Sequence, residues 1–465
     1  MNKFRSPGKE GTAIFVLGII YAIMSYNTLL TISAIIVPFI LMKLVWRKGD
    51  SPILFFALLA QWVAVSIKVF YANYTGVDFI TVHDYPEHIE AAFYLGLIGL
   101  IALAIGIHIQ LRTLNLEDKG TFTIRESDYN YSKLLRTYLI CSFSYPILYA
   151  LSFTLGGLQQ PLSKFVEFKW AIFFLFMLYS FNTGRYKLFI LVACYDIIIS
   201  LTGYFSGFKD YFFALFIGMI IVFGKRLKPK HIIPLALILT IGTYFLMIWQ
   251  HVKPEYRKFL SGGAEAQISV RGTQESLAKL LSLVLETDQE GIEDGFEYTV
   301  ARLSYIDFLS ATMSNVPENV PHTNGKLWTG AFTRILQPRL LFPNKEVIDD
   351  SEKASLYTGT EFYGADKGTS VSLGYFAESY VDFGMIGMHI ILLVFGFIIG
   401  SIYKFVIQES PDIVVGSALV LPMFYVINSF ETALDKIVGA LCMYFVMYLL
   451  VKTVFLKPLL NYLKS

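Results

Sequence analysis

Glu378 and Asp382 stand four residues apart in Ser370–Gly384, the stretch that leads into a long apolar run. In a helix they share one face, where two like charges cost roughly a few tenths of a kcal/mol. A carboxylate where a helix enters lipid is placed to take a proton from a sugar hydroxyl. It also fits a plainer role, because the helix dipole favours negative charge in a first turn. His322, in Val320–Gly325, is one of two histidines in a long polar segment. Its imidazole is a second candidate base, and a lone loop histidine is equally at home as a surface residue.

Cations supply the complementary chemistry. In Gln337–Lys345 two prolines, Pro338 and Pro343, bracket a short apolar turn and restrict its backbone. Arg339 and Lys345 then form a clamp for a diphosphate, a bidentate fork beside a point charge, or meet lipid headgroups. Arg302 and Arg334 lie within or beside apolar runs, which favours a buried anion as partner; Arg257 and Arg271 are less constrained. Lys209 is the sole cation of the turn Gly203–Asp210, reaching into an outward cavity or pairing with Asp210. Asp196 sits in the middle of an apolar run, where a charge costs about 2.5–3.5 kcal/mol and needs a cavity or a partner. No GxGxxG, GxxxxGK[ST], GxSxG or HExxH pattern occurs, and Cys141, Cys194 and Cys442 show no metal-ligand spacing.

The elements that must position these residues are membrane helices. Of 465 residues, 55% are hydrophobic and only 16% charged, against about 25% charged in a soluble domain; the mean hydropathy is +0.55. A soluble enzyme, a disordered tail and a nucleic-acid binder are excluded. Apolar segments long enough to approach the ~20 residues of a span fall near 11–26, 29–45, 53–71, 91–111, 137–155, 170–182, 187–204, 210–224, 231–249, 383–403, 413–430 and 437–456. The first two read as a hairpin broken at Ser25–Asn27, and the first as a retained helix, not a cleaved signal. The fold expected is therefore all-α and polytopic, with twelve spans and both termini cytoplasmic. Residues 1–249 hold nine spans, 250–382 form a large external loop and 383–465 hold the last three.

Charge placement supports that orientation. Of the 38 Lys and Arg residues, 21 fall in segments assigned to the inside. Lys164, Lys169, Lys209 and Lys436 fall in short outer loops, and Lys68 sits near the outer end of a span, where it can snorkel. The external loop carries 12 Lys and Arg against 19 Asp and Glu. Leu277, Leu280, Leu281, Val284 and Leu285 mark an amphipathic helix there, with a second, less regular run through Val300, Leu303 and Leu309.

The pattern PR-x-x-x-P-x-K at Pro338–Lys345, followed by G-x-x-x-E-x-Y-x-x-F-G-x-x-G at Gly374–Gly387, resembles the Wzy-type O-antigen and exopolysaccharide repeat-unit polymerases. The likeness covers about 50 residues in motif and the whole chain in topology. It departs from the family where Lys345 is followed by Glu346 instead of proline.

The resemblance implies a multi-pass enzyme of the bacterial cytoplasmic (inner) membrane. Such an enzyme joins undecaprenyl-diphosphate-linked oligosaccharides on the outer side, with a chain-length regulator and a flippase as partners. Nucleotide sugars are not available there, so the leaving group arrives already activated. Arg339, Lys345, Arg302, Lys209 and Arg334 are then the candidates for the diphosphate, Glu378 and then His322 for the base of an inverting transfer. Tyr380, Tyr375 and Tyr363 are candidates for the sugar. No cofactor or metal is called for. A ligase passing finished chains to another acceptor shares this topology. A transporter of lipid-linked glycans fits less well, because nine spans precede the large loop and three follow it.

Overall fold

A computed structural model describes residues 4–5, 8–202, 207–223, 229–263, 269–338, 341–342, 345, 349–364 and 370–464. The N-terminal half is built from α1 (Lys9–Met24), α2 (Thr28–Val45), α3 (Ile53–Thr75), α4 (Ile89–Leu111), α5 (Tyr131–Thr154), α6 (Gln159–Val166), α7 (Lys169–Asn182), α8 (Tyr186–Ser200), α9 (Phe208–Phe223) and α10 (Pro229–Leu260). Five helices follow: α11 (Thr273–Glu286), α12 (Gln289–Leu303), α13 (Ile306–Asn315), α14 (Lys326–Leu336) and α15 (Asp350–Thr358). The chain finishes with α16 (Tyr375–Glu409), α17 (Ile413–Ile427), α18 (Leu434–Leu450), a π-helical stretch Val451–Leu456, and α19 (Lys457–Lys464). Among the described residues there is no β-strand, only a bridge between Phe4 and Arg47.

Each apolar segment coincides with a helix. Among the described residues, six helical stretches are long and apolar enough to cross a membrane: Thr28–Val45, Ile53–Thr75, Ile89–Leu111, Tyr131–Ser152, Tyr375–Glu409 and Leu434–Lys464. The helices α1, α7, α8, α9 and α17 are shorter, at 14 to 16 residues. Two expected boundaries move. Helix α10 runs through residue 250 to Leu260 without a break, and α16 starts at Tyr375, ahead of 383. The hairpin at Ser25–Asn27 is present, and Asn27 anchors it. Its side chain donates to Asn73 Oδ1 and to the Val77 carbonyl, both at 3.0 Å, and accepts the Phe79 amide at 2.8 Å.

Helices α4 and α16 form the centre. A Cβ on Gly106 would fall on the Leu393 carbonyl, one on Gly396 on the Leu103 carbonyl, and one on Gly400 against Ile107. Gly396 and Gly400 make a G-x-x-x-G stripe of the kind that lets membrane helices touch backbone to backbone. Gly396→Ala is expected to destabilise by about 1–3 kcal/mol through overpacking. Gly439→Ala, which meets nothing within 4 Å, should be neutral. Thermal unfolding in detergent reads both.

Helices α11–α15 cap the end of the bundle where α3 finishes and α4, α16 and α18 begin. Five helices make up the cap among the described residues, and α11 buries Leu280 and Leu283 while leaving Leu281 and Leu285 exposed. A buried network ties cap to bundle. Asp307 of α13 accepts Lys68 Nζ at 3.0 Å, the Asp84 amide at 3.1 Å and meets His83 Nδ1 at 2.8 Å. Lys68 is therefore a buried ion-pair partner and does not snorkel. Burial works to raise the Asp307 pKa, but His83 and Lys68 outweigh it and hold it low. Burial pushes the His83 pKa down despite Asp307.

The folded state thus resists a proton on His83 that the unfolded chain accepts near pH 6.5. Stability should be complete above that pH and fall as the pH drops below it. In His83→Gln the slope near pH 6 should flatten; an unchanged slope in pH-dependent melting would assign it elsewhere.

Lys169 also departs from expectation. It is buried, its ammonium 3.5 Å from the centre of the Tyr145 ring and 3.2 Å from Tyr211 Oη, not placed in an open outer loop. Asp196 has found its partners, the hydroxyls of Tyr138 and Ser142.

Candidate functional site

Two clusters meet under the cap. The first is organised by the start of α16. Gly384, at φ 66° and ψ −168°, breaks that helix, so Tyr375–Phe383 forms a short piece, buried from Tyr375 to Asp382, and the apolar span follows it. Glu378 and Asp382 share a face of this piece, as their spacing required. Each is almost fully buried, 1% exposed, and each receives the amino end of another helix. Asp382 accepts the Leu327 amide at 3.0 Å, the Trp328 amide at 2.8 Å and the Thr323 hydroxyl, capping α14 from a distance. Glu378 accepts the Leu434 amide at 3.1 Å with one oxygen, capping α18, and Lys353 Nζ at 2.8 Å with the other.

Lys353 also reaches Asp435 at 3.5 Å. Burial alone would lower its pKa, but Glu378, Asp435 and Asp350 around it hold it above the ordinary lysine value. Lys353, Glu378 and Asp435 lie along an open pocket of about 510 Å³, with Lys326, Thr329, Thr333 and Arg334 on the α14 side. The pocket thus joins two carboxylates, a half-buried ammonium and a polar helix face.

The second cluster is cationic. Lys253 and Arg257, one turn apart on α10, act electrostatically on each other and on Lys209 and Arg302, with Glu431 in the α17–α18 connection and Asp210 beside Lys209 as the opposing acids. Arg302 lies 3.6 Å from Glu431. Burial and the three neighbouring cations push the Lys253 pKa down to about 8, with Glu431 opposing them. Tyr305, which donates to the Ser372 carbonyl, feels Arg302 and Glu431 as well as Asp350, and burial raises its pKa. Asp350 pairs with Lys436, next to Asp435. The segment 431–436 thus links the cationic cluster to the pocket.

The remaining candidates separate. Arg339 lies outside the described residues. Lys345 donates to the carbonyls of Arg334 and Gln337, closing the end of α14, so a backbone role accounts for it. His322 sits at the start of α14, its Nδ1 3.1 Å from the Val381 carbonyl and its ring against Tyr380; it is not part of the pocket wall. Tyr380 and Tyr375 are core residues, bound to the Val316 carbonyl and to Gln61, which removes them as sugar platforms. Tyr363 is exposed. Sequence reasoning misses Lys253, Lys353 and Asp435 and passes over Arg257, although Lys253-x-x-x-Arg257 at the end of an apolar helix is a readable signal. Among the described residues no three His, Cys, Asp or Glu side chains are grouped to hold a metal.

A profile described as a domain of unknown function, DUF8712, matches residues 13–458. The chain belongs to the DUF8712 family. That match takes in the bundle, the cap and both clusters, so the site is part of the DUF8712 unit and not an appendage to it. No curated protein and no solved structure matches the chain.

Proposed function

We propose that this DUF8712 protein is a membrane glycosyltransferase. It polymerises undecaprenyl-diphosphate-linked oligosaccharide repeats on the outer face of the bacterial cytoplasmic membrane, through twelve spans with both termini inside. The observation that carries the reading is the group Lys209, Lys253, Arg257 and Arg302, with Glu431 3.6 Å from Arg302 and Asp210 beside Lys209 as the opposing acids, close to membrane-length helices. Four cations so placed fit a multiply charged anion held at the lipid surface.

In the transfer, the acceptor hydroxyl gives its proton to a carboxylate as its oxygen bonds to the anomeric carbon. The bond from that carbon to the diphosphate oxygen breaks, and the cations stabilise the departing charge. Asp435 lines the pocket at 3.5 Å from Lys353 and fits the base role more directly than Glu378, whose two oxygens are both engaged. Lys353 then acts as a positioning residue.

Deleting the gene in its host and running the surface polysaccharide on a gel tests the reading. The expected result is collapse of a long ladder to a single-repeat band. Loss of all capped acceptor would replace the proposal with a ligase, and an unchanged ladder would remove both.

A further inference from the structure

At the end of the bundle opposite the cap, α19 lies between two cavities of different character. One, of about 230 Å³, is bounded by Cys141 and Leu148 of α5, Ala418 and Leu419 of α17, and Leu459 and Leu460 of α19. It sits between Tyr131–Ser152 and Leu434–Lys464, both of membrane-crossing length, so it faces hydrocarbon. Its charged wall residue is Lys169, whose ammonium is shielded by the rings of Tyr145, Trp170 and Tyr211. The other cavity, of about 580 Å³, is polar and includes Lys119, Arg125, Lys464, Asp128 and Asp412.

Each acid there accepts a backbone amide and keeps its negative charge, so the three cations exceed the acids by one unit. Asp412 accepts the Val415 amide at 2.8 Å and Asp128 the Arg125 amide at 2.7 Å. Lys119 donates to the carbonyls of Gln408 and Ser410. Among the described residues none of Lys119, Arg125 and Lys464 is in a salt bridge. Adjacent residues of α17 line the two cavities, Val414 the polar one and Val415 the apolar one. Helix α19 is held between them by its Leu463 carbonyl, which accepts the Asn130 amide at 2.7 Å, and by Lys133 over the Tyr462 ring.

We infer that this pair of cavities binds one anionic phospholipid, an acyl chain in the apolar cavity and the phosphate among Lys119, Arg125 and Lys464. A dry apolar cavity accepts an apolar guest, and a basic pocket between membrane helices selects an anionic headgroup. The site is distinct from the cationic cluster, which lies at the capped end.

The test uses the full chain purified in detergent, titrated with phosphatidylglycerol or phosphatidylcholine and read by native mass spectrometry. One phosphatidylglycerol per chain should be retained, roughly tenfold better than phosphatidylcholine. Arg125→Glu with Lys464→Glu should bring retention down to the phosphatidylcholine level, and Ala418→Trp should lose both lipids. Equal retention of the two lipids by the wild type, or phosphatidylglycerol retention unchanged by the paired charge reversal, overturns the proposal. The paired reversal changes surface residues, so it decides the matter even if Ala418→Trp does not fold.

Discussion

Arg257→Ala is expected to slow repeat-unit transfer by about 10- to 100-fold, and Arg257→Ala with Arg302→Ala by more than either alone. A charge-assisted hydrogen bond contributes about 1.5–3 kcal/mol, and each ~1.4 kcal/mol is tenfold. The loss should appear in binding of the lipid-linked substrate and in its turnover, because the anion is bound first and its charge grows as it leaves. Lys253 adds a pH signature. Its pKa is pushed down to about 8, and a lysine is charged below its pKa, so the cluster holds its full charge below pH 8 and loses one unit above it. Affinity for the substrate should decline as pH passes through 8 from below. A bound diphosphate raises the pKa and moves that decline upward. Lys253→Arg keeps its charge throughout, and its affinity should stay level across the same range. Substrate titrations over that interval decide it. A wild-type curve that parallels the arginine variant would remove Lys253 from the anion site, and wild-type transfer rates in Arg257→Ala and in its double with Arg302→Ala would end the proposal for the cluster.

Lys353→Met should cost about 3–5 kcal/mol of stability, the usual result of stripping one partner from a buried ion pair. The magnitude follows from Glu378, which is 1% exposed and would be left with the Leu434 amide alone. Adding Glu378→Met to Lys353→Met should recover much of the loss, because an apolar pair of similar volume avoids the desolvation cost of an orphaned charge. Thermal or denaturant unfolding of the two single variants and the double yields the coupling directly. Additive losses would mean that the two charges do not depend on one another. Activity separates structural support from chemistry: a double variant that refolds but does not transfer assigns the pocket to the reaction.

The helices are legible in the sequence because their signal is local. A run of apolar residues depends on no distant partner, and every apolar segment coincides with a helix, six of them among the described residues of membrane-crossing length. Glu378 and Asp382 are legible as a pair on one face for the same reason. Their tasks are not, because the groups they hold are elsewhere in the chain: Leu327 and Trp328 for Asp382, Leu434 and Lys353 for Glu378. Spacing within a segment cannot show a carboxylate that caps a different helix. Lys345 misleads for a related reason, since a cation beside proline signals an anion site until the end of α14 is seen to lie within its reach. Lys209 and Arg302 stand out separately in the sequence, and it takes the packing of α10 to bring them beside Lys253 and Arg257. Those two are hidden because α10 continues past the end of its apolar stretch, where hydropathy alone places the boundary too early.

The break at Gly384 has a consequence for how the protein is made. The short piece Tyr375–Phe383 carries two carboxylates whose partners arrive at different times during synthesis. The α14 amides held by Asp382 and the Lys353 ammonium held by Glu378 come earlier in the chain, and the Leu434 amide comes later. Until α18 is in place, Glu378 lacks its second donor and Lys353 lacks Asp435. The cap and the final hairpin therefore complete one another. A chain halted before Leu434 would hold most of its membrane helices and still present an unfinished charged core at the capped end.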